Sequence, residues 1–185
     1  MTDFDDLWVK HYGTLPPLAY LLREACVGGW LRVHSLPHMK RYAETKAEVA
    51  EVYRRVSEVG DAVLGSGACC QLMVAEAGGE RQAAEYRRMR KALNLAPADG
   101  FDDPDRDDVV WSAHKAEVNW SSEQFAPLLH AIAEDRIAHV LWIGESGSVF
   151  APYDGGVDAF IRPVAGAERL KARFVDWLSP RPDGL

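Results

Sequence analysis

The sequence predicts a single α+β domain over residues 1–185, in which helices cover a largely antiparallel sheet. Its 185 residues are enough to bury one hydrophobic core. Segments with the period of a strand alternate with segments with the period of a helix. Residues 139–163 contain three short apolar segments joined by two tight turns. We expect a split βαβ arrangement extended by an antiparallel meander, and a mixed α/β fold is the alternative.

The predicted elements follow the hydrophobic period and the positions of Gly and Pro. Gly28 and Gly29 end the second helix, and Gly78 and Gly79 mark the turn before a later, arginine-rich helix. The predicted helices cover 3–11, 18–25, 45–64, 80–95, a segment that begins at 121, and 167–178. The predicted strands cover 30–36, 68–75, 109–120, 140–143, 148–153 and 157–162. The remaining segments are an acidic surface loop at 97–108 and an irregular tail at 179–185.

Two helices and one strand have recognisable signatures. Thr45 and Glu48 have the spacing of a capping box, in which each side chain satisfies a backbone N–H of the first turn. Ser121 and Gln124 have the same spacing at the start of a later helix. Pro127 lies inside that helix, so it either removes one backbone hydrogen bond or delays the helix start by a turn. Residues 140–143 are apolar on both faces, which predicts a strand in the centre of the sheet.

The Asp154-Gly155-Gly156 turn has the sharpest local signature in the chain. These residue types tolerate the positive φ that a tight hairpin turn needs, and turn chemistry alone would explain them. They also place two carboxylates, Asp154 and Asp158, beside a bare glycine backbone that a ligand or a cation can approach closely. Alternation puts Asp158 on the same strand face as Phe160, and a carboxylate buried there needs a partner.

One basic patch lies between residues 32 and 41 of this acidic chain. Arginine offers a planar fork suited to carboxylate or phosphate, so the patch predicts a site for a small anionic ligand. The alternative is ordinary surface charge, in which Arg32 pairs with one of the many carboxylates. The predicted ligand-binding residues are Arg32, His34, Lys40, Arg41, Asp154 and Asp158.

A calcium-binding pattern is present only in part. Asp103, Asp105 and Asp107 match the start of an EF-hand loop. Asp108 stands where that loop needs Gly, and His114 stands where it needs the bidentate Glu. We therefore expect a solvated acidic loop, with no bound metal and no cofactor.

Composition and motifs disfavour several classes of function. The net charge of −7 disfavours binding to nucleic acid or to an anionic membrane surface. No apolar run approaches the roughly 20 residues that cross a bilayer. Three Cys form no disulfide framework and the first residues do not resemble a secretory signal, so we expect a cytoplasmic location. No P-loop or G-x-S-x-G fingerprint is present, which favours a protein that is not an enzyme.

Three segments resemble uncharacterised bacterial proteins of unknown-function families. They are FAPYDGGVDAFI, ERLKARFVDWLSPRPDGL and WLRVHSLPHMKRYAET. The resemblance covers about half of the chain and brings no activity and no functional residues with it. By analogy, it implies a small bacterial cytoplasmic protein that acts as an accessory or immunity-type binding protein.

Three functions are consistent with these observations. The first is a non-enzymatic binding or immunity-type protein that acts through a surface, as a homodimer or with a protein partner, using exposed Trp and Tyr as anchors. The second is a small-molecule-binding domain or enzyme, with Arg32, His34 and Asp158 joined across a sheet face by Trp30 and Trp142. The third is a metal-dependent protein. The sequence favours the first.

Overall fold

The computed structural model describes residues 3–25, 29–77, 83–181 and 184. Within this part of the chain, seven strands form one sheet that helices cover on both faces. The helices are α1 (Phe4–Tyr12), α2 (Ala19–Glu24), α3 (Lys46–Leu64), α4 (Ala83–Ala92), α5 (Ser122–Ala133) and α6 (Ala167–Arg173). The strands are β1 (Trp30–His34), β2 (Cys69–Ala77), β3 (Ala96–Asp102), β4 (Val110–Asn119), β5 (Val140–Gly144), β6 (Val149–Tyr153) and β7 (Gly156–Phe160). Short 3₁₀ helices lie at Pro37–Met39, Val164–Gly166 and Val175–Trp177.

The strands are arranged in the order β1-β7-β6-β5-β2-β4-β3, and each of these neighbouring pairs is antiparallel. It follows that β1 and β2, which α3 connects, run in the same direction with the β5–β6–β7 meander between them. The predicted α+β class, the meander and the split βαβ arrangement are therefore confirmed. The mixed α/β alternative is wrong, because no adjacent strands in the described sheet are parallel. The predicted central strand, β5, is the fourth of seven, and all five of its residues are buried.

The pleat of the sheet separates two hydrophobic layers. On one face, Leu31 and Trp142 pack in the layer covered by α3, α4, α5 and α6. On the other face, Phe160 packs in the layer covered by α1 and α2, with Trp30 against it. Because side chains alternate along a strand, Asp158 lies on the same face as Phe160. The sheet therefore presents Asp158 to α2 rather than to the long helix α3.

The predicted starts of α3 and α5 are confirmed. Both halves of the capping box at Thr45 are present before α3. The Ser121 hydroxyl accepts a hydrogen bond from the backbone N–H of Gln124. The helix α5 begins at Ser122 even though Pro127 lies within it. The proline therefore removes one backbone bond and does not delay the start.

The loop predicted at 97–108 is wrong in its first half, where the chain forms β3. This strand lies at the edge of the sheet and pairs only with β4. An edge strand tolerates Pro97, because one side of it needs no ladder hydrogen bonds, and a shift of register surrounds Gly100. Loop-like composition is therefore compatible with an edge strand, and only the pairing partner reveals it.

The helices α2 and α6 are shorter than predicted. The helix α6 ends at Arg173, and after the 3₁₀ helix Leu178 forms an isolated bridge to Val33.

The predicted turn residues Gly28, Gly78 and Gly79 lie outside the described residues, as do residues 80–82 of the fourth helix and residues 182, 183 and 185 of the tail. No helix in the described ranges is long and apolar enough to cross a membrane.

Candidate ligand-binding cleft

Asp158 is a buried carboxylate in the middle of β7, with 5% of its side chain exposed. The strand β1 places Arg32 directly opposite it in the register. Arg32 donates from Nε to Oδ1 at 2.9 Å and from Nη2 to Oδ2 at 2.8 Å. Trp30 Nε1 donates to Oδ1 at 3.0 Å. The buried carboxylate thus has the bidentate, charge-assisted partner that its position demands.

A second cation approaches Asp158 from α2. Arg23, in the last turn of that helix, places Nη1 3.5 Å from Asp158 Oδ2. This distance exceeds the 2.7–3.2 Å of an ordinary N–H···O bond, and 25% of the Arg23 side chain is exposed. The Arg23 side chain makes no other hydrogen bond with the described residues, so its guanidinium keeps most of its donors for a further partner.

A second buried carboxylate, Asp154, lies in the two-residue turn between β6 and β7. Arg41 donates to it from Nη2 at 2.9 Å and also from Nε, and the Tyr42 hydroxyl donates at 2.7 Å. The hydrogen bond to Asp154 is the main cause that raises the pKa of Arg41. Because 61% of the Arg41 side chain is exposed, this ion pair is much more open to solvent than the Arg32–Asp158 pair.

The sequence predicts that the Asp154-Gly155-Gly156 turn uses the positive φ that glycine tolerates. The structure shows a different role for these glycines. None of Asp154, Gly155 and Gly156 has a positive φ, so that prediction is wrong. A Cβ on Gly156 would lie 2.0 Å from the carbonyl oxygen of Val33. Gly156 is therefore needed because the backbone of β1 passes too close for any side chain.

Both ion pairs line one cleft of about 280 Å³. Its wall is formed by α2, the middle of β1, the β6–β7 turn and the segment between α5 and β5. Three arginines and three aspartates contribute to its wall, so their formal charges cancel. Tyrosines and one histidine complete its polar lining. The polar lining residues are Arg23, Arg32, Arg41, Asp135, Asp154, Asp158, Tyr20, Tyr153 and His139.

The unused hydrogen-bonding groups near the Asp158 end of the cleft are donors. Asp158 already accepts from Trp30 and Arg32, whereas the Tyr153 hydroxyl makes no hydrogen bond with any described residue. Burial is the main cause that raises the pKa of Tyr153 to about 12, so the hydroxyl keeps its proton at neutral pH. The Arg32 guanidinium lies 4.8 Å from the centroid of the Tyr153 ring and holds it in place. This end of the cleft can therefore donate from Arg23 and Tyr153.

The structure brings four of the six predicted ligand-binding residues together and separates the other two. Arg32, Arg41, Asp154 and Asp158 all line the cleft. Trp142, which the second hypothesis placed beside them, lies in the hydrophobic layer on the opposite face of the sheet.

His34 and Lys40 lie elsewhere. His34 lines a separate cavity of about 530 Å³ between β1 and the 3₁₀ helix at Val175–Trp177. Desolvation is the main cause that lowers its pKa, and Arg32 and Arg55 lower it further. The Lys40 ammonium donates to the carboxylates of Glu44 and Glu48 at 3.0 and 2.7 Å and so joins the start of α3.

Sequence reasoning missed Arg23, Tyr153 and Asp135. Alternation along β6 contained a signal for Tyr153, because it lies two residues after Ala151 and so on the same face as Asp158. No local pattern connects Arg23 or Asp135 to the cleft, since each comes from a helix end far away in the sequence. Their proximity depends on how the helices pack against the sheet.

The acidic segment that resembles a calcium loop has another use. Asp103 is buried, and its Oδ2 accepts from Trp111 Nε1 and from the Tyr20 hydroxyl, both at 3.0 Å. Its Oδ1 accepts the backbone N–H of Asp105 at 2.9 Å. Across the described ranges, no group of three or more His, Cys, Asp or Glu side chains could hold a metal ion.

One protein-family model matches most of this chain, including the cleft. Residues 18–182 match a family described as "Domain of unknown function (DUF3885)". Every arginine and aspartate of the cleft falls within this range. Comparisons with curated proteins and with solved structures find no significant match. The match covers most of the chain and agrees with the resemblance to unknown-function families predicted from the sequence. The chain therefore belongs to the DUF3885 family.

Proposed function

We propose that this protein binds a small ligand through an acid group, a carboxylate or a phosphate, in the cleft beside Arg23 and Tyr153. The observation that supports this proposal is the surplus of donors at that end of the cleft. Asp158 already accepts three hydrogen bonds from Arg32 and Trp30 and one long contact from Arg23, while the Arg23 guanidinium and the Tyr153 hydroxyl have donors to spare. A ligand must supply the acceptor that the protein lacks there.

The two ion pairs hold the side chains of this site in place before a ligand binds. The Arg32–Asp158 pair joins β1 to β7, and its guanidinium stacks on Tyr153. Ligand binding then needs little reorganisation, because these side chains are already held by packing and hydrogen bonds. The cleft volume of about 280 Å³ lies just below the roughly 300–1,000 Å³ of ligand pockets. This size favours a metabolite over a larger ligand.

The alternative of a protein that acts through an aromatic surface has less support. Trp8, Trp111, Trp120 and Trp142 are buried, and Trp30 and Trp177 are half-buried. Exposed Trp anchors are thus absent from the described residues, and the exposed Tyr42 has its hydroxyl bonded to Asp154. A homodimer or protein partner and a cytoplasmic location stay predictions from the sequence.

The experiment is a thermal unfolding series with sodium butyrate and with inorganic phosphate as separate probes. A ligand that binds only the folded state stabilises it by about 2.7 kcal/mol at one hundred times its Kd. We expect at least one probe to raise the Tm of the unmodified protein in a concentration-dependent way. Arg23→Gln should remove most of that increase, because a hydrogen bond to a charged group contributes about 1.5–3 kcal/mol.

The matched control is Arg88→Gln on α4, which removes the same charge from a side chain that is 77% exposed and outside the cleft. This variant should keep the full increase in Tm. The proposal fails if neither probe raises the Tm, or if Arg23→Gln and Arg88→Gln respond alike.

A further inference from the structure

The segment after α5 adds a carboxylate to the wall of the cleft. Asp135 follows α5, lines the cleft and is exposed. Its carboxylate makes no hydrogen bond or ion pair with any described residue. Its φ of 54° is left-handed, a conformation that Asp and Asn adopt more readily than other residues with a side chain. This conformation ends α5, because the backbone N–H groups of Asp135 and Arg136 donate to the carbonyls of Ile132 and Ala131. The feature that bears on the cleft is the Asp135 carboxylate, which borders it with no hydrogen-bond partner among the described residues.

Arg23 lies in the last turn of α2 and Asp135 directly after the end of α5, and both line the cleft. The pKa of Arg41 is raised first by its hydrogen bond to Asp154, and Asp135 is among the charges that raise it further. The pKa of Tyr153 is raised by burial, and Arg23 is among the charges that oppose the increase. The cation with spare donors and the carboxylate without a hydrogen-bond partner therefore reach one cleft from two different elements, α2 and the segment that follows α5.

Resting on the proposed function, we infer that the ligand is amphoteric, with an acid group at Arg23 and Tyr153 and a cationic group at Asp135. Arg32 and Arg41 are offset by Asp158 and Asp154. A simple anion would pair with Arg23 and leave Asp135 facing it as a like charge. A molecule with an ammonium group at its other end would pair with both, and its net charge of zero matches the cancelled formal charges of the cleft.

The test uses matched pairs of probes that differ only in the ammonium group. Acetate, propionate, butyrate and valerate are titrated calorimetrically at pH 7 beside glycine, β-alanine, 4-aminobutyrate and 5-aminovalerate. We expect at least one chain length at which the amino acid binds ten or more times as tightly as its matched alkanoate. That length measures the separation of the two ends of the site.

Two variants assign the effect to its residues. Asp135→Asn should abolish the difference within each pair and leave alkanoate affinity unchanged or higher, and it should fold because Asn also tolerates left-handed φ. Arg23→Gln should weaken both members of a pair. The control Glu123→Gln removes an exposed carboxylate at the other end of α5 and should change neither.

The outcomes separate this inference from the proposed function. If alkanoates bind as tightly as amino acids at every chain length, the amphoteric ligand is contradicted while the acid-binding cleft stands. If the amino acids are preferred but Asp135→Asn keeps the preference, the role of Asp135 is contradicted. If no probe in either series binds, the inference falls, and the proposed function falls with it unless inorganic phosphate raises the Tm in the thermal unfolding series.

Discussion

Asp158→Asn is the most informative single change to the fold, because it removes one charge and almost no volume. The amide offers one acceptor oxygen, whereas the carboxylate accepts from Trp30 and twice from Arg32. The NH₂ group of the asparagine, which is itself a donor, would face at least one of these donors and could not accept its hydrogen bond. Removing one partner of a buried ion pair costs about 3–5 kcal/mol. Since 15% of the Arg32 side chain is exposed, we expect a loss near the lower limit, about 3 kcal/mol.

The assay is equilibrium unfolding in urea, with thermal unfolding beside it. A loss of about 3 kcal/mol corresponds to a decrease in Tm of roughly 6–12 °C for a chain of this length. Asp154→Asn is the matched control, because its partner Arg41 is largely exposed, and it should cost about 1 kcal/mol or less. Adding Arg32→Met to Asp158→Asn should recover part of the loss by removing the stranded charge. Equal losses for the two Asn variants would refute this reasoning.

Three further changes test the packing and the pH dependence of stability. Gly156→Ala should lower the free energy of unfolding by about 3 kcal/mol in urea, because its Cβ clashes with the backbone of Val33 and β1 must move. His34 has a lowered pKa, so its contribution to stability is complete above its unfolded value of 6.5 and declines as the pH falls through that value. His34→Gln should therefore flatten the stability curve below pH 6.5, and an unchanged slope would contradict the burial argument. Glu51 has a pKa lowered to about 2, first by Arg54, so its contribution is complete above pH 4.5 and is lost toward pH 2. Glu51→Gln should flatten acid unfolding in that window when circular dichroism is followed.

Features coded by neighbouring residues could be predicted from the sequence. The apolar run of β5 indicated a central strand, because a strand with two buried faces needs apolar side chains on both. The capping box at Thr45 located the start of α3 within one residue. The need of Asp158 for a partner was also predictable from nearby residues. Alternation placed it on the face of Phe160, and a carboxylate buried on that face requires a partner.

Features set by long-range packing could not be predicted. The identity of the Asp158 partners depends on the β1–β7 register and on how α2 lies against the sheet, so Arg32 was a candidate and Arg23 was missed. The strand β3 was read as a loop because composition does not reveal an edge position. Gly156 was assigned to turn chemistry, although the reason for a glycine there is the neighbouring backbone of β1.

The most direct test of the acid-binding cleft is a crystal structure of the protein soaked in sodium butyrate. The account predicts a carboxylate in the cleft with its oxygens about 2.7–3.2 Å from the Arg23 guanidinium and the Tyr153 hydroxyl. It also predicts that the Arg32–Asp158 pair keeps its two hydrogen bonds. A cleft without butyrate in crystals that bind it elsewhere, or a carboxylate bound after displacing Asp158 from Arg32, would contradict the account.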